Sequence, residues 1–330
     1  MGNTGQKTVG IVILTYKNYA DTIACLESVL SIDYEAFDLF LVDNASGNGA
    51  VESLRAYLDG RALRYAVVPW DRPVDAATVE ERIIITEAAL NRGYSAGNNI
   101  GIRMALARGA DYVLVLNNDT SVTNNFLEPL VRLAECQAHI GACGPKIVNN
   151  TGEVSRVCAR RRPTASDFLF VFGIGGRLFP HNCRIQRYFY MGEYNFDIPR
   201  RVDIISGSCM LLKTSYLKNA GLLDENVFLY CEEFILHEGL RNAGLQSFVV
   251  PESVIFHSGG HSTRLLHRGL AEEAAKRSEY YYLTRYRGYS RVFARCLIGM
   301  QFVPLGIASR VRNTVRAIAL TARRGWRTLS

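Results

Sequence analysis

The sequence lacks the features of several protein classes. No apolar run approaches the ~20 residues that a helix needs to cross a bilayer. The longest candidate, Leu297 to Ala308, contains Pro304 and glycines, and is too broken for a regular helix. No basic segment followed by an apolar run and a cleavage site opens the chain, so we expect no signal peptide. These absences predict a cytoplasmic protein.

The sequence also lacks closely spaced cysteine pairs of the C-x-x-C type. The eight cysteines include no C-x-x-C pair, which argues against a structural zinc site. Without an export signal, we expect them to be reduced core residues rather than disulfides. Hydrophobic residues make up 48% of the 330 residues and charged residues 21%, which excludes a disordered chain and allows a large core.

Acidic residues are absent after Glu279, whereas the same tail carries ten arginines. Such a tail indicates an anionic partner, which could be nucleic acid, a membrane or phosphate groups. Val311, Val315 and Ile318 recur at helical spacing, which favours an amphipathic helix on an anionic membrane over nucleic acid. We therefore expect residues 285–330 to contact a membrane and no nucleic acid to bind. A basic helical cap on the domain is the alternative.

Apolar runs alternate with helical patterns along the first half of the chain. Val9–Leu14, Leu39–Val42 and Tyr112–Leu116 are continuous apolar runs, typical of strands that are buried on both faces. Apolar residues at helical spacing follow each of them. This alternation predicts a doubly wound α/β sheet, whose ligands bind at the carboxyl ends of the strands.

The pattern weakens between residues 149 and 201, which we interpret as an insertion or lid. Further on, a helix is predicted over Glu232 to Asn242, ended by Gly244. Two short strands, Phe248–Val250 and Val254–Phe256, follow this helix, and from about Arg268 the chain becomes helical and basic.

Polar clusters follow several predicted strands. Asp43 could accept a hydrogen bond from a ribose hydroxyl or a base N–H, or it could simply cap a turn. The segment Asn91–Asn99 places glycines before a helix, which suits a diphosphate, although a glycine-containing turn explains it as well. Because G-x-G-x-x-G is absent, the segment is not a dinucleotide-binding fingerprint.

Three further groups could carry chemistry. Asn117 and Asp119 are two residues apart at a strand end, so both could bind Mg²⁺ or Mn²⁺, or form a turn. Glu232 and Glu233 could supply a general base, or simply favour a helix start. His257 precedes a glycine-rich loop and could bind a metal, although taken alone it is better explained as a core histidine.

In their order along the chain, these segments resemble the family-2 glycosyltransferases, especially the branch of bacterial rhamnosyl- and related polysaccharide transferases. The resemblance covers about Val9 to Ser262. The matching stretches are VILTYKN, LFLVDNAS, NRGYSAGNNIGI, YVLVLNNDT, IGACGPKI, ISGSCMLLK, GLLDENVFLYCEEF and VPESVIFHSGGHS.

The resemblance implies a GT-A fold, with a doubly wound, mixed and mostly parallel sheet and helices on both faces. Residues 1–262 would form the catalytic domain, with 149–201 as a variable acceptor or lid insertion, and 263–330 an Arg-rich helical extension. The implied activity is the inverting transfer of a sugar from dTDP or UDP, dTDP-rhamnose being one candidate donor. The implied acceptor is a glycan, free or linked to a lipid diphosphate, in polysaccharide biosynthesis. A divalent cation, Mg²⁺ or Mn²⁺, is implied as cofactor. The implied location is cytoplasmic, at the inner face of the cell membrane.

The resemblance also implies roles for individual residues. Asp119 would be the main carboxylate ligand of the metal, with Asn117 and His257 completing the site. Glu233 would be the catalytic base and Glu232 its reserve. The residues implied to bind the donor are Thr15, Tyr16, Asp43, Asn44, Asn91, Gly93, Gly97, Asn98, Asn118, Gly207 and Ser208.

Two departures from the family pattern keep other functions open. Asn117 stands where an Asp is common, and Glu233 is one methylene longer than the usual Asp. A non-catalytic carbohydrate-binding or scaffold protein with this fold is therefore one alternative. A sugar nucleotidyltransferase is another, although it would normally show a glycine-rich loop with Arg and Lys after the first strand, where this chain has VILTYKN.

Overall fold

A computed structural model describes residues 5–149, 151–173, 187–257 and 268–301. Within these ranges ten strands belong to one sheet. The strands are β1 Val9–Thr15, β2 Phe37–Asp43, β3 Tyr65–Val67, β4 Ile83–Glu87, β5 Tyr112–Asn117, β6 Thr120–Val122, β7 Ile140–Val148, β8 Arg200–Val202, β9 Cys209–Lys213 and β10 Gln246–His257.

Helices cover both faces of this sheet. The α-helices are α1 Tyr19–Leu30, α2 Ala50–Gly60, α3 Tyr94–Ala107, α4 Leu127–Cys136, α5 Ala165–Phe170, α6 Thr214–Ala220, α7 Glu232–Asn242, α8 Arg268–Tyr281 and α9 Arg291–Gln301. A 3₁₀ turn, Pro73–Thr78, lies in the polar segment before β4, and a π-helical segment, Tyr282–Tyr286, joins α8 to the chain before α9.

The strand order is β3-β4-β2-β1-β5-β9-β7-β10-β6, with β8 paired to β10. The first five strands of this order are parallel, and β9 runs antiparallel between β5 and β7. The sheet is therefore mixed and mostly parallel, as the resemblance implies. Thr15 pairs with Asp43, and Leu14 pairs with Asn117, so the polar clusters meet at one edge.

The apolar strands divide their side chains between two cores. Ile11 and Leu39 lie in a cluster with residues of α1, α2 and α4, whereas Val12 and Phe40 lie in a cluster with residues of α3, α6 and α7. Helix α3 approaches β1 closely, because a Cβ at its Gly101 would lie 2.5 Å from a Val12 methyl group. This close approach sets the start of α3 directly beside the polar edge of the sheet.

The sequence prediction differs from the structure at two places. The two short strands expected after α7 form one strand, β10, with an irregularity between Val250 and Val254. The second difference concerns Leu297 to Ala308, the segment expected to be too broken for a regular helix. Its first residues, 297–301, belong to α9, because Leu297 and Ile298 are buried and hold the helix in place. Residues 302–330, which carry most of the predicted membrane-contact segment, lie outside the described residues.

Helices α8 and α9 pack against the domain through a third cluster, which includes Phe168, Phe234 and Tyr282. Ser278 on α8 donates a hydrogen bond to the Leu229 carbonyl oxygen at 2.7 Å. The hydroxyls of Tyr281 and Tyr286 both donate to Asp224 Oδ2, at 2.9 and 2.6 Å. None of the described helices has the length and apolar character that crossing a bilayer requires.

A buried ion pair joins three parts of the chain at Glu238 on α7, which is 2% exposed. Its two oxygens accept hydrogen bonds from Arg162 at 2.7 and 2.8 Å, and Oε1 also accepts one from the Tyr282 hydroxyl at 3.1 Å. The residue therefore ties α7 to the segment before α5 and to the C-terminal helices.

We predict that Glu238→Gln lowers the free energy of unfolding by about 3–5 kcal/mol, because it leaves the Arg162 guanidinium without its carboxylate. The matched control is Glu273→Gln, which breaks the exposed i,i+4 pair with Arg277 and should cost about 0.5 kcal/mol or less. Urea unfolding of both variants measures the difference. Equal, small losses would mean that Glu238 does not hold these parts together.

Candidate active site

A cleft of about 310 Å³ opens at the carboxyl ends of β1, β2 and β5, a size within the range of small-molecule sites. Of the sixteen residues that the sequence places in the site, twelve line this cleft. They are Tyr16, Asn44, Asn91, Gly93, Asn117, Asn118, Asp119, Gly207, Ser208, Glu232, Glu233 and His257.

Asp119 and His257 meet in the cleft although 138 residues separate them in the chain. The antiparallel pairing of β10 with β6 sets His257 opposite Thr120, the neighbour of Asp119. As a result, His257 Nε2 lies 3.1 Å from Asp119 Oδ1. The Asp119 side chain is 5% exposed and that of His257 20%, so the pair is largely shielded from water.

This pair is suited to a divalent cation. The described residues contain no cluster of three or more His, Cys, Asp or Glu side chains that could bind a metal by themselves. Asp119, His257 and the amide oxygen of Asn117 would supply part of a coordination shell, and phosphate oxygens and water would complete it. Mg²⁺ and Mn²⁺ accept such oxygen-rich, incomplete sites, because they are commonly bound together with a phosphorylated substrate.

Asn118 lines the cleft, but its amide has a partner inside the protein. Its Nδ2 donates to the Asn18 carbonyl oxygen at 3.1 Å and to Thr22 Oγ1 at 3.0 Å. Thr15, which does not line the cleft, is buried and shares a 2.9 Å hydrogen bond with the same Thr22 hydroxyl. Both residues therefore fix the strand ends against the start of α1.

Three other predicted donor residues lie behind the cleft surface. Asn98 is buried in α3 and donates to the Tyr94 carbonyl oxygen at 3.0 Å. A Cβ at Gly97 would lie 2.6 Å from the Leu14 side chain, so this glycine serves close packing. Asp43 caps a turn, since its Oδ2 accepts from the Ser46 N–H at 2.8 Å. Its buried Oδ1 has no hydrogen-bond partner among the described residues, which leaves an acceptor that a base N–H could satisfy.

The turn before α3 is held by side-chain amides. Asn44 Nδ2 donates to Asn91 Oδ1 at 3.1 Å and to the Gly93 carbonyl oxygen at 3.3 Å. Gly93 has a φ of +97°, and the N–H of the next residue, Tyr94, donates to the Phe228 carbonyl oxygen at 2.8 Å. A Cβ at Gly93 would lie 2.2 Å from that same oxygen. Only glycine fits here, where the backbone of Gly93 passes directly beside the backbone of Phe228.

We therefore predict that Gly93→Ala lowers the free energy of unfolding by at least about 3 kcal/mol, because it adds a backbone clash to an unfavourable φ. Gly109→Ala is the control, because Gly109 has a φ of +77° with no atom within 4 Å of its Cβ position. That change should cost only about 1–2 kcal/mol. Urea unfolding compares the two, and equal costs would contradict the clash.

The two glutamates of α7 are oriented by an unusual turn. Tyr230 and Cys231 both have positive φ, 70° and 66°, which non-glycine residues seldom adopt. The chain thereby enters α7 with both carboxyl groups near Gly207. A Cβ at Gly207 would lie 3.6 Å from Glu232 Oε1 and 3.8 Å from Glu233 Oε2.

Arg160 completes this group of charges and was not identified from the sequence. Its Nη2 donates to Glu233 Oε1 at 2.9 Å and to the Ile205 carbonyl oxygen at 3.0 Å. Burial, together with the charge of Glu233, raises the pKa of Glu232 above its ordinary value. The pair is therefore divided: Glu233 is bound to the guanidinium, and Glu232 retains a proton near neutral pH. No local motif marks Arg160, because its position depends on the bridge between Arg160 and Ile204.

Tyr94 is a second residue that the sequence analysis missed. Its hydroxyl donates to the Gly207 carbonyl oxygen at 2.5 Å and so holds the loop that faces the two glutamates. Burial, together with the neighbouring carboxyl groups of Glu232 and Glu233, raises the pKa of Tyr94 well above its ordinary value. The hydroxyl therefore remains a hydrogen-bond donor. Tyr94 could have been identified from the sequence, because it is the aromatic residue of the polar Asn91–Asn99 segment.

Comparison with solved structures identifies the fold. A mannosyltransferase from Pyrobaculum calidifontis, solved with GDP-Man and Mn²⁺, matches with a TM-score of 0.54 and 15% identity, covering 98% of this chain and 84% of that one. GalNAc-T7, solved with UDP, GalNAc and Mn²⁺, matches with a TM-score of 0.56 and 15% identity, covering 94% and 55%. The fold is the GT-A glycosyltransferase fold, as predicted.

Sequence comparison identifies the family. The family model for glycosyl transferase family 2 matches residues 10–221, and the chain belongs to this family. The N-acetylglucosaminyl-diphospho-decaprenol L-rhamnosyltransferase of Mycobacterium tuberculosis is 29% identical over 188 residues, covering 55% of this chain and 60% of that protein. The low-salt glycan biosynthesis hexosyltransferase Agl10 of Haloferax volcanii is 32% identical over 144 residues, covering 43% and 41%. The matches thus span less than two thirds of either relative.

Proposed function

We propose that this protein is an inverting, cation-dependent glycosyltransferase of polysaccharide biosynthesis. It would move a sugar from a nucleoside diphosphate to a hydroxyl of a glycan or of a lipid-diphosphate-linked glycan. One arrangement supports this function most directly: the same cleft is lined by the Asp119–His257 pair and by the divided carboxyl pair of α7. The first suits a diphosphate with its cation, and the second suits a hydroxyl that must lose a proton.

The donor would lie along the carboxyl ends of the parallel strands. Asp43 and Asn44 have buried oxygens without hydrogen-bond partners among the described residues, and both lie at the end of β2, where a pyrimidine would be recognised. The diphosphate would lie near the start of α3, whose N–H groups favour an anion. Asp119, Asn117 and His257 would hold the cation, which when bound neutralises charge on the diphosphate. A dTDP- or UDP-sugar is the proposed donor, and the names of the rhamnosyltransferase relatives support rhamnose as its sugar.

The chemical step would be a single displacement. The acceptor oxygen attacks the anomeric carbon and transfers its proton to Glu233, while the bond to the diphosphate breaks and the electron pair leaves with the nucleotide. Attack opposite the leaving group inverts the configuration. Arg160 holds Glu233 in place, and Gly207 leaves room for the sugar beside the carboxylate.

We also propose that the basic C-terminal segment brings the enzyme to the inner face of an anionic membrane. Its described part, α9, exposes Arg291, Val292, Phe293 and Arg295 on its outer side, a mixture that anionic lipid surfaces attract. Co-sedimentation with phosphatidylglycerol vesicles, compared with phosphatidylcholine vesicles, tests this proposal. Equal binding to the two, or binding to neither, would overturn it.

The experiment that tests the function is calorimetric titration with UDP and with dTDP, each with and without Mn²⁺ or Mg²⁺. We expect one of the two nucleotides to bind at least tenfold more tightly when a cation is present. This result would also choose the donor nucleotide. Absence of binding by both nucleotides under every cation condition would overturn the donor site and favour a non-catalytic scaffold.

A further inference from the structure

A second cavity, of about 500 Å³, lies between the two glutamates and α8. Glu232, Glu233 and Tyr230 line both this cavity and the cleft described above, so the two spaces meet at the carboxyl pair. Phe172 and Phe234 form part of the remaining wall, and one side of α8 closes it. A group bound in this second cavity therefore adjoins the same carboxyl pair as a group bound in the cleft.

The cavity is held open by fixed contacts rather than by a loose loop. Ser278, on α8, is 2% exposed and bonds the Leu229 carbonyl oxygen, just before the turn that leads into α7. The hydroxyls of Tyr281 and Tyr286 share Asp224 Oδ2 on the other side. These contacts set the distance between α8 and the start of α7, so the space exists before any ligand arrives.

The described residues of the cavity wall disfavour phosphate. Of the described residues that line the cavity, Arg160 is the single cationic one, and its guanidinium is already paired with Glu233. Among the described residues of this wall, a phosphate group would therefore meet carboxyl groups and no unpaired cation. Glu272, at the mouth, adds a further carboxylate, which is bonded to Lys276 at 2.7 Å.

The same wall suits a neutral sugar. Phe172, Tyr230 and Phe234 place aromatic side chains in the wall, and the C–H face of a sugar ring can pack against such side chains. Glu279, deeper on α8, has a buried Oε2 without a hydrogen-bond partner among the described residues. Burial raises the pKa of Glu279 to about 7, so near neutral pH this carboxyl group can both donate and accept a hydrogen bond.

We propose that this second cavity binds the acceptor as a neutral, hydroxyl-bearing glycosyl unit, with Glu279 hydrogen-bonded to one of its hydroxyls and any acceptor phosphate outside. The inference rests on the proposed function, because it defines the acceptor of that reaction. It assigns Glu279 and α8, which lie beyond the residues matched by the family model, a role in choosing the acceptor.

Saturation-transfer NMR with small glycosides tests the proposal. The neutral probes are methyl β-D-glucopyranoside, methyl α-L-rhamnopyranoside and methyl N-acetyl-β-D-glucosaminide, and the charged probe is glucose 1-phosphate. Ala275→Phe fills the cavity from α8, whereas Ala274→Phe adds the same ring to the neighbouring residue, which does not line it. Glu279→Leu removes the hydrogen bond, and Glu279→Gln keeps it.

We expect saturation transfer to at least one neutral glycoside, unaffected by saturating UDP or dTDP. The signal should fall at least fivefold in Ala275→Phe and Glu279→Leu, and stay within twofold of wild type in Ala274→Phe and Glu279→Gln. Absence of a signal from every neutral glycoside, an unchanged signal in Ala275→Phe, or an equal preference for glucose 1-phosphate would overturn the inference.

Calorimetry with UDP and dTDP on the same proteins separates the two proposals. If a nucleotide binds the wild type and all four variants while the glycosides fail, the acceptor inference alone is wrong. If neither nucleotide binds the wild type, the proposed function itself is wrong. Bound nucleotide also shows that each variant is folded, so a lost glycoside signal cannot be attributed to unfolding.

Discussion

Replacing Glu233 with glutamine is expected to lower kcat by about 10²- to 10⁴-fold, the usual contribution of a general base. Glutamine preserves the size of the side chain but cannot accept the acceptor proton. Arg160 Nη2 donates to Glu233 Oε1 at 2.9 Å, so the glutamate is held in position for this transfer. Initial-rate measurements of nucleoside diphosphate release, with the donor chosen by calorimetry, give kcat for the variant.

Glu232→Gln is the matched control for this prediction, one position away on the same helix. Because burial and Glu233 raise the pKa of Glu232, its carboxyl group retains a proton, and a neutral amide is a close substitute. We expect a loss of kcat below about tenfold, small against the effect of a missing base. The reverse order of the two losses would make Glu232 the base.

The arginine adds a diagnostic pH effect. In Arg160→Met the carboxyl pair loses its neighbouring cation. Arg160 is one of the groups that lower the pKa of Glu232, so that pKa should rise further in the variant. The acid limb of the kcat/KM profile should therefore move to higher pH, and Arg160→Lys should restore much of the shift. A uniform loss of activity at every pH would instead indicate a purely structural role for Arg160.

Replacing Asp119 with alanine is expected to remove the dependence of nucleotide binding on cation. It should also lower kcat/KM at least about 10³-fold, because a cation on the leaving phosphate contributes several kcal/mol. Asp119 supplies the carboxylate of the proposed site, and His257 and Asn117 cannot replace that charge. Calorimetry with and without Mn²⁺, followed by rate measurements, checks both parts.

Asp33→Ala serves as the control, since Asp33 is an exposed carboxylate that does not line the cleft. It should leave both the cation dependence and the rate unchanged. Persistence of cation-dependent binding in Asp119→Ala would show that the cation binds elsewhere, and would overturn the proposed role of the Asp119–His257 pair.

The sequence predicts the parallel half of the sheet well because strand ends there are local features. Apolar runs followed by polar clusters identify β1, β2 and β5, and parallel pairing necessarily brings their ends together. The Asp119–His257 contact is different, because it depends on the register of β6 with β10. A motif can suggest both residues, but only the folded sheet shows that they touch.

The folded structure adds two things about the cleft that the sequence does not reveal. Polar residues near strand ends are readily interpreted as ligand-binding residues. The side chains of Asn118 and Thr15, however, form hydrogen bonds with the Thr22 hydroxyl inside the protein. Conversely, Arg160 lies in the least regular part of the sequence, where neither periodicity nor a motif indicates a role. Its contact with Glu233 bridges 73 residues and depends entirely on tertiary packing.

The successive left-handed residues Tyr230 and Cys231 have a consequence for engineering this protein. Each such residue costs on the order of 1–3 kcal/mol, so a substitution that relieves this backbone strain would stabilise the protein. Glycine or asparagine at position 230 tolerates a positive φ better than Tyr230 does, so either substitution would relieve part of the strain and raise the melting temperature. The same change would loosen the entry into α7, so a screen for heat resistance alone would select variants whose two carboxyl groups no longer hold their places.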